Sequence, residues 1–343
     1  MNTESLHQDN NINRVQFIDV ARSVAIFLVV WGHTAGGNIS KTIYSFHMPL
    51  FFLISGMLLK RKNINCSISD IMILLKRRLK AYYIPYLVWA LFYANLSLSN
   101  FVKICYGTRE CLVDVGGLSS LWFLPVLLFS DIIVEIVFFL FRRIEYFNLL
   151  ISIIMFIMFA IGFYMPHIEP YGWPMGADIG FVAAGFMISG YFIRSFLDSN
   201  WGIKRGTKFI GISLMIICCL FVIVQKIFPI QSVSMYMGSY GSVHAFLINA
   251  MLQSLIVIYF SVLIKKISFC ISHVMSFVGK NTMCVLVIHK PIVKYFSAIA
   301  SNKGYSMESL GITIIIALVG MIISLAIGKI IDIILPEILG KSR

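Results

Sequence analysis

Arg22 and His33 stand eleven residues apart on the first apolar stretch of the chain, residues 15–32, and at its immediate exit. At 100° per residue that spacing is three helical turns with about 20° of residual rotation, so a helix projects both side chains from one face. Asp19 joins them one turn before Arg22. With a rise of 1.5 Å per residue, Arg22 lies about 16 Å below His33. A charge at membrane depth costs at least ~2.5–3.5 kcal/mol, so it turns toward protein or an aqueous cavity and marks chemistry or transport. A neutral imidazole at the helix end can take a proton from a hydroxyl, the commonest catalytic work of histidine. The other reading is a tolerated helix-end histidine above an Asp19–Arg22 pair that neutralises itself.

Two more clusters can do chemistry. His47 opens Phe46-His47-Met48-Pro49-Leu50-Phe51-Phe52, a stretch that runs back toward Lys60, Arg61 and Lys62 and so begins near the level of His33. It either orients a substrate and shares its proton, or bonds the backbone that Pro49 frees. Arg77 and Arg78 stand at the start of a third apolar stretch, where guanidinium forks match the phosphate oxygens of a donor arriving from the cytosol. Such pairs also set orientation and bind anionic headgroups. Further polar residues enter the apolar stretches: the i, i+4 pairs Asp131/Glu135 and Asn249/Gln253, Asp178, Lys280 and Asn281, and His289 two to three turns later. Any one can be a helix–helix hydrogen bond worth ~0.6 kcal/mol. Their number favours a polar cavity through a bundle over a purely structural scaffold.

The elements that must position these residues are membrane helices. The 343-residue chain is 59% hydrophobic and 13% charged, with a mean hydropathy of +0.88, which excludes a soluble domain of this size. The expected fold is an all-α integral membrane protein, a polytopic bundle of about ten transmembrane helices. The expected spans are 15–32, 43–59, 79–98, 118–141, 147–165, 176–196, 208–227, 244–264, 274–298 and 310–334. They form one transmembrane domain over 14–335 between a cytoplasmic N-terminal tail, 1–13, and a cytoplasmic C-terminal tail, 336–343. The N-terminal residues lack a basic region followed by a small-residue cleavage site, so no signal peptide is expected. With both termini in the cytoplasm, nineteen Lys and Arg fall inside and seven outside, the bias the positive-inside rule requires. This asymmetry accounts for most of the net charge of +13 and makes nucleic-acid binding unnecessary. The seven cysteines show no metal-ligand spacing, and no metal is expected. Cys105 and Cys111 share an outer loop, either as a disulfide or as two thiols.

Taken in order, these motifs resemble the membrane-bound acyltransferase-3 family. The residues that carry the likeness are Ile18-Asp19-Val20-Ala21-Arg22, the Arg22-to-His33 spacing, Ser45-Phe46-His47-Met48-Pro49-Leu50-Phe51-Phe52, Arg77-Arg78, Leu121-Trp122-Phe123-Leu124-Pro125 and Gly279-Lys280-Asn281-Thr282 through His289. The likeness is closest to the fucose 4-O-acetylase-like branch and spans residues 14 to about 295. It implies an O-acetyltransferase of the bacterial cytoplasmic (inner) membrane. Such an enzyme moves acetyl from cytoplasmic acetyl-CoA to a sugar hydroxyl of a surface polysaccharide, of lipopolysaccharide such as O-antigen, or of a related glycan or lipid-linked sugar. Acetyl-CoA is then a substrate and no cofactor is permanently bound. By the same resemblance His33 is the catalytic histidine and Arg22 its basic partner, with Asp19 and His47 beside them. Arg77, Arg78 and Trp122 serve the donor, while Glu135, Lys280, Asn281 and His289 line the cavity. Many relatives carry a soluble domain after the bundle, and this chain looks like the stand-alone form. A transporter or flippase of a lipid-linked glycan is the alternative, but inverted repeats with paired broken helices are not evident.

Overall fold

The computed structural model describes residues 3–94, 97–115, 119–166, 168, 171–199 and 206–341. Among these, regular structure is helical throughout. In chain order the helices are α1 (Thr3–Gly32), α2 (Gly37–Tyr44), α3 (His47–Gly56), α4 (Ile68–Arg78), α5 (Ile84–Tyr93), α6 (Leu98–Tyr106), α7 (Arg109–Asp114), α8 (Phe123–Leu140), α9 (Phe147–Tyr164), α10 (Ala177–Asp198), α11 (Thr207–Ile227), α12 (Val243–Ile267), α13 (Phe269–Lys280), α14 (Thr282–Asn302) and α15 (Leu310–Ile334). Seven helical stretches among the described residues are long and apolar enough to cross a membrane: Ser120–Leu140, Phe147–Tyr164, Pro174–Asp198, Thr207–Ile227, Val243–Ile267, Thr282–Asn302 and Leu310–Ile334. The chain divides into two compact units.

The first unit comprises Met1–Ile54, Ser195–Val233 and Tyr240–Gly328. Its centre is α1, which packs on α12, α13 and α14. Apolar burial by Phe17, Ile18, Val20, Ala25, Ile26 and Val30 supplies the contact, and polar threads fix its register. Gln16 donates to Ser272 Oγ at 3.2 Å and Trp31 Nε1 to Thr313 Oγ1 at 3.2 Å. Asn249 and Gln253 serve the same end: Asn249 donates to the Phe228 carbonyl at 2.9 Å, and Gln253 to Ser45 Oγ at 2.9 Å. That pair therefore ties helices and loops together.

The expected span 43–59 is broken. Helix α2 stops at Tyr44, and Ser45 folds its hydroxyl onto the Thr42 carbonyl at 2.7 Å. Helix α3 then has ten residues, about 15 Å at 1.5 Å each, half the ~30 Å hydrocarbon thickness. Pro49 lies in its first turn, where a missing N–H costs no helical bond, so the proline starts a helix and does not kink one. The expected span 274–298 is also divided, because Asn281 leaves helical geometry (φ −112°, ψ 23°) between α13 and α14.

The second unit comprises Ser55–Arg194, Ser234–Ser239 and Lys329–Arg343. Here α4 continues without interruption through a π-helical turn, Leu79–Tyr83, into α5. Arg77 and Arg78 therefore sit inside a helical run over 68–93, whereas the sequence placed them at the mouth of a span beginning at 79. Pro85 explains the wide turn: without an N–H it cannot bond the Ala81 carbonyl four residues back. That carbonyl is closely approached by Gly340 at φ +73°, where a Cβ would collide with it. The short 3-10 turn Pro336–Leu339 is held in the same place by Trp89 Nε1, which donates to the Ile338 carbonyl at 3.0 Å. Cys105 and Cys111 are not joined by a disulfide, so of the two sequence readings the thiols stand.

Candidate functional site

In the first unit the end of α1 is closely fixed. The His33 amide bonds the Val30 carbonyl at 3.2 Å, and Thr34 Oγ1 lies 3.1 Å from the Thr313 carbonyl. Tyr44 donates its hydroxyl to the Gly32 carbonyl at 2.9 Å, satisfying a helix-end acceptor directly before His33. His33 as a residue is exposed. Its centroid lies 5.2 Å from that of His289 and 6.4 Å from that of Tyr44, whose ring in turn lies 5.2 Å from that of His47. Three imidazoles and a phenol drawn from the exit of α1 and from α2, α3 and α14 thus form one cluster.

Two of these imidazoles have a defined proton. His289 is fully buried, and its Nδ1 lies 2.8 Å from the Val285 carbonyl and 3.0 Å from the Leu286 carbonyl. Carbonyls only accept, so Nδ1 carries the hydrogen and Nε2 keeps its lone pair. His47 repeats the arrangement with the Ile43 carbonyl at 2.8 Å. This is the carbonyl four residues back, at the end of α2, not the one that Pro49 frees. Tyr44 was missed in the sequence reading, although its position three residues before His47 was a usable signal. Among the described residues no group of three His, Cys, Asp or Glu side chains is disposed to hold a metal ion.

Lower on α1, Asp19 is buried and pairs with Arg22 at 3.8 Å, while Ser276 on α13 donates to its Oδ2 at 3.2 Å. Gly279 makes the approach possible, since a Cβ there would overlap the Asp19 carbonyl. Lys280 adds its charge to the same neighbourhood. Asn281 donates to the Phe277 carbonyl at 2.7 Å and so closes the end of α13. The Gly279-Lys280-Asn281 motif therefore belongs to the Asp19–Arg22 contact, and His289 to the His33 cluster one helix further on.

In the second unit Arg77 and Arg78 differ. Arg77 is exposed. Arg78 directs Nε to Asp131 Oδ2 at 2.8 Å and Nη2 to Glu135 Oε1 at 3.5 Å, and Lys62 forms a further ion pair with Glu135. The buried acidic pair on α8 is thus neutralised by two cations, and Glu135, expected to line a cavity, is an ion-pair partner. The helix that carries the arginines is set by a capping box: Ser67 Oγ accepts from the Asp70 amide at 3.2 Å and Asp70 Oδ2 from the Ser67 amide at 2.9 Å. The Ser67 amide bond also holds the Asp70 carboxyl below its usual range.

Trp122 is buried just before α8, with its ring 5.9 Å from that of Tyr236. Tyr236 donates to the Arg109 carbonyl at 3.3 Å, and burial together with Glu110 pushes its phenol up to about 12. Asp131 and Glu135 lie nine and thirteen residues along the chain from Trp122, about 13–20 Å at the helical rise. The structure therefore keeps Trp122 and the partners of Arg78 at different levels of α8.

The family model described as an acyltransferase domain, Acyl_transf_3, matches residues 15–329 of the chain. No curated protein matches it.

Proposed function

This chain belongs to the Acyl_transf_3 family of acyltransferase domains, and from that premise we propose that it is a membrane O-acetyltransferase that moves acetyl from acetyl-CoA to a sugar hydroxyl of an envelope glycan. The observation that carries this reading is His33, an exposed residue, set in a cluster of two proton-defined imidazoles and Tyr44. A base that is reachable by substrate yet anchored at a fixed helix end is what hydroxyl activation requires.

In the proposed reaction His33 takes the proton of the acceptor hydroxyl as its oxygen attacks the thioester carbonyl. The new C–O bond forms, the C–S bond breaks, and the proton passes from His33 to the departing CoA thiolate. Arg22, half-buried and paired with Asp19, keeps a positive charge on the same helix. Arg77 is the exposed guanidinium assigned to the donor's phosphates, and Arg78 orders the helical run that presents it through Asp131 and Glu135. Residues 15–32 of α1 and the apolar stretch that follows Arg78 from residue 79 are read as further spans beside the seven, with both termini cytoplasmic and the protein in a bacterial inner membrane.

The test is transfer of radiolabelled acetyl from acetyl-CoA in membranes that hold the wild type or His33→Ala, with host glycans as acceptors. Label in a glycan, removable by mild base and absent with His33→Ala at equal membrane insertion, is the expected result. Near-normal labelling by His33→Ala sinks the assignment of the base.

A further inference from the structure

His289 presents an unusual combination. Its side chain is 0% exposed, yet its Nε2 has no hydrogen-bond partner among the described residues. A buried polar atom left unpaired costs about 1–3 kcal/mol, so its persistence calls for a reason. The opposite nitrogen is held by two carbonyls of its own helix, Val285 and Leu286, which prevents the ring from flipping to satisfy Nε2. The fixed lone pair therefore remains an acceptor. The ring packed against it is that of His33, at 5.2 Å between centroids and 37° between planes. Two imidazoles joined edge to edge by an N–H···N bond have their centroids at about this separation, so a rotation of the His33 ring suffices to bring one of its N–H groups to a nitrogen of its neighbour.

We propose that His289 is a positioning residue for the base: its Nε2 accepts a hydrogen bond from one ring nitrogen of His33, fixing the tautomer in which the other nitrogen of His33 faces the acceptor hydroxyl with its lone pair free. His289 itself gains and loses no proton. When His33 takes the hydroxyl proton, the N–H directed at His289 becomes a stronger donor, so the contact tightens as the transition state forms. The other groups around the pair are Tyr44, His47 and Lys290. Tyr44 is committed to the Gly32 carbonyl and His47 to the Ile43 carbonyl. Lys290 follows His289 on α14 and adds positive charge near His33. That charge opposes a protonated His33, which makes a neutral acceptor such as His289 Nε2 the favourable partner.

The inference rests on His33 being the base, and its test is kept separate from acetyl transfer. Diethyl pyrocarbonate acylates the unprotonated nitrogen of a histidine, and mass spectrometry of the peptide that contains His33 gives the rate over a range of pH. His289→Phe fills the volume without an acceptor, whereas His289→Gln retains an acceptor oxygen. The His33 modification rate is expected to fall about three- to tenfold in His289→Phe, the kinetic equivalent of one neutral hydrogen bond, and to recover in His289→Gln. Equal rates in all three proteins overturn the proposal. So does an equal fall in both variants, which marks packing alone. Variants are compared only after each runs as a monodisperse peak in detergent, with His289→Leu in place of a misfolded His289→Phe and His289→Asn in place of a misfolded His289→Gln. Failure of the base assignment appears separately, as glycan labelling that survives His33→Ala, and failure of the acetyltransferase reading as no glycan labelling by the wild type.

Discussion

Gly279 of α13 lies against the backbone of Asp19 on α1, close enough that a Cβ would overlap the Asp19 carbonyl. This contact sets the spacing of the helix pair that carries both the Asp19–Arg22 ion pair and the Ser276 bond to Asp19. Backbones come this near only where a small residue stands at the crossing.

Gly279→Ala is therefore expected to cost stability although alanine is the better helix former. Backbone cannot retreat as a flexible side chain does, and overpacking of this kind costs about 1–3 kcal/mol. Thermal unfolding in detergent should show a lowered midpoint, with Gly211→Ala, whose Cβ meets nothing within 4 Å, as the neutral comparison. An unchanged midpoint for Gly279→Ala would falsify the close crossing.

The two arginines should separate experimentally. Arg78 pairs with buried Asp131 and Glu135, so Arg78→Ala leaves Asp131 without its cation while Lys62 still pairs with Glu135; breaking such a pair costs up to about 3–5 kcal/mol, and the part-exposed guanidinium and the remaining Lys62 put the expected loss at the low end of that range. Arg77 is exposed, so Arg77→Ala should leave unfolding unchanged and raise the KM for acetyl-CoA about tenfold, one charge-assisted contact's worth. Unfolding curves and initial rates on both variants decide it. An Arg78→Ala protein as stable as wild type would remove the structural role assigned to that residue.

Much of this arrangement was legible in the sequence, for identifiable reasons. Helical periodicity put Asp19, Arg22 and His33 on α1, and span length found the seven long apolar helices. What sequence could not supply was tertiary pairing. The i, i+4 spacing of Asp131 and Glu135 announced a shared face, yet nothing local named Arg78 and Lys62 as their partners. Break points were missed where polar chemistry competes with the helix inside an apolar run: Ser45 turning back on Thr42, and Asn281 closing α13. Nor did the sequence show that the helix begins at residue 68, before the cationic residues at the expected span boundary, or that a π turn accommodates Pro85 without ending it. His289 looked like one polar residue among several, and only the packing of α14 on α1 brings it to His33.

Tyr44 gives the sharpest test of how the base is held. Its hydroxyl donates to the Gly32 carbonyl, the acceptor immediately before His33, and its ring lies between those of His33 and His47. Tyr44→Phe keeps the ring and loses the hydroxyl with its bonds to the Gly32 carbonyl and Ser40, leaving a helix-end carbonyl without that donor at a cost of about 1 kcal/mol. If the bond serves to fix the exit of α1, the loss should appear in kcat, about three- to tenfold, because His33 then samples geometries in which its lone pair misses the hydroxyl. The KM for acetyl-CoA should not move, since no contact assigned to the donor is altered. Tyr44→Ala should be worse than Tyr44→Phe, because it also removes the ring against which both imidazoles rest. A Tyr44→Phe enzyme with unchanged kcat would mean that the backbone bonds of His33 and Thr34 suffice to hold the base. A raised KM with unchanged kcat would instead place Tyr44 in substrate binding.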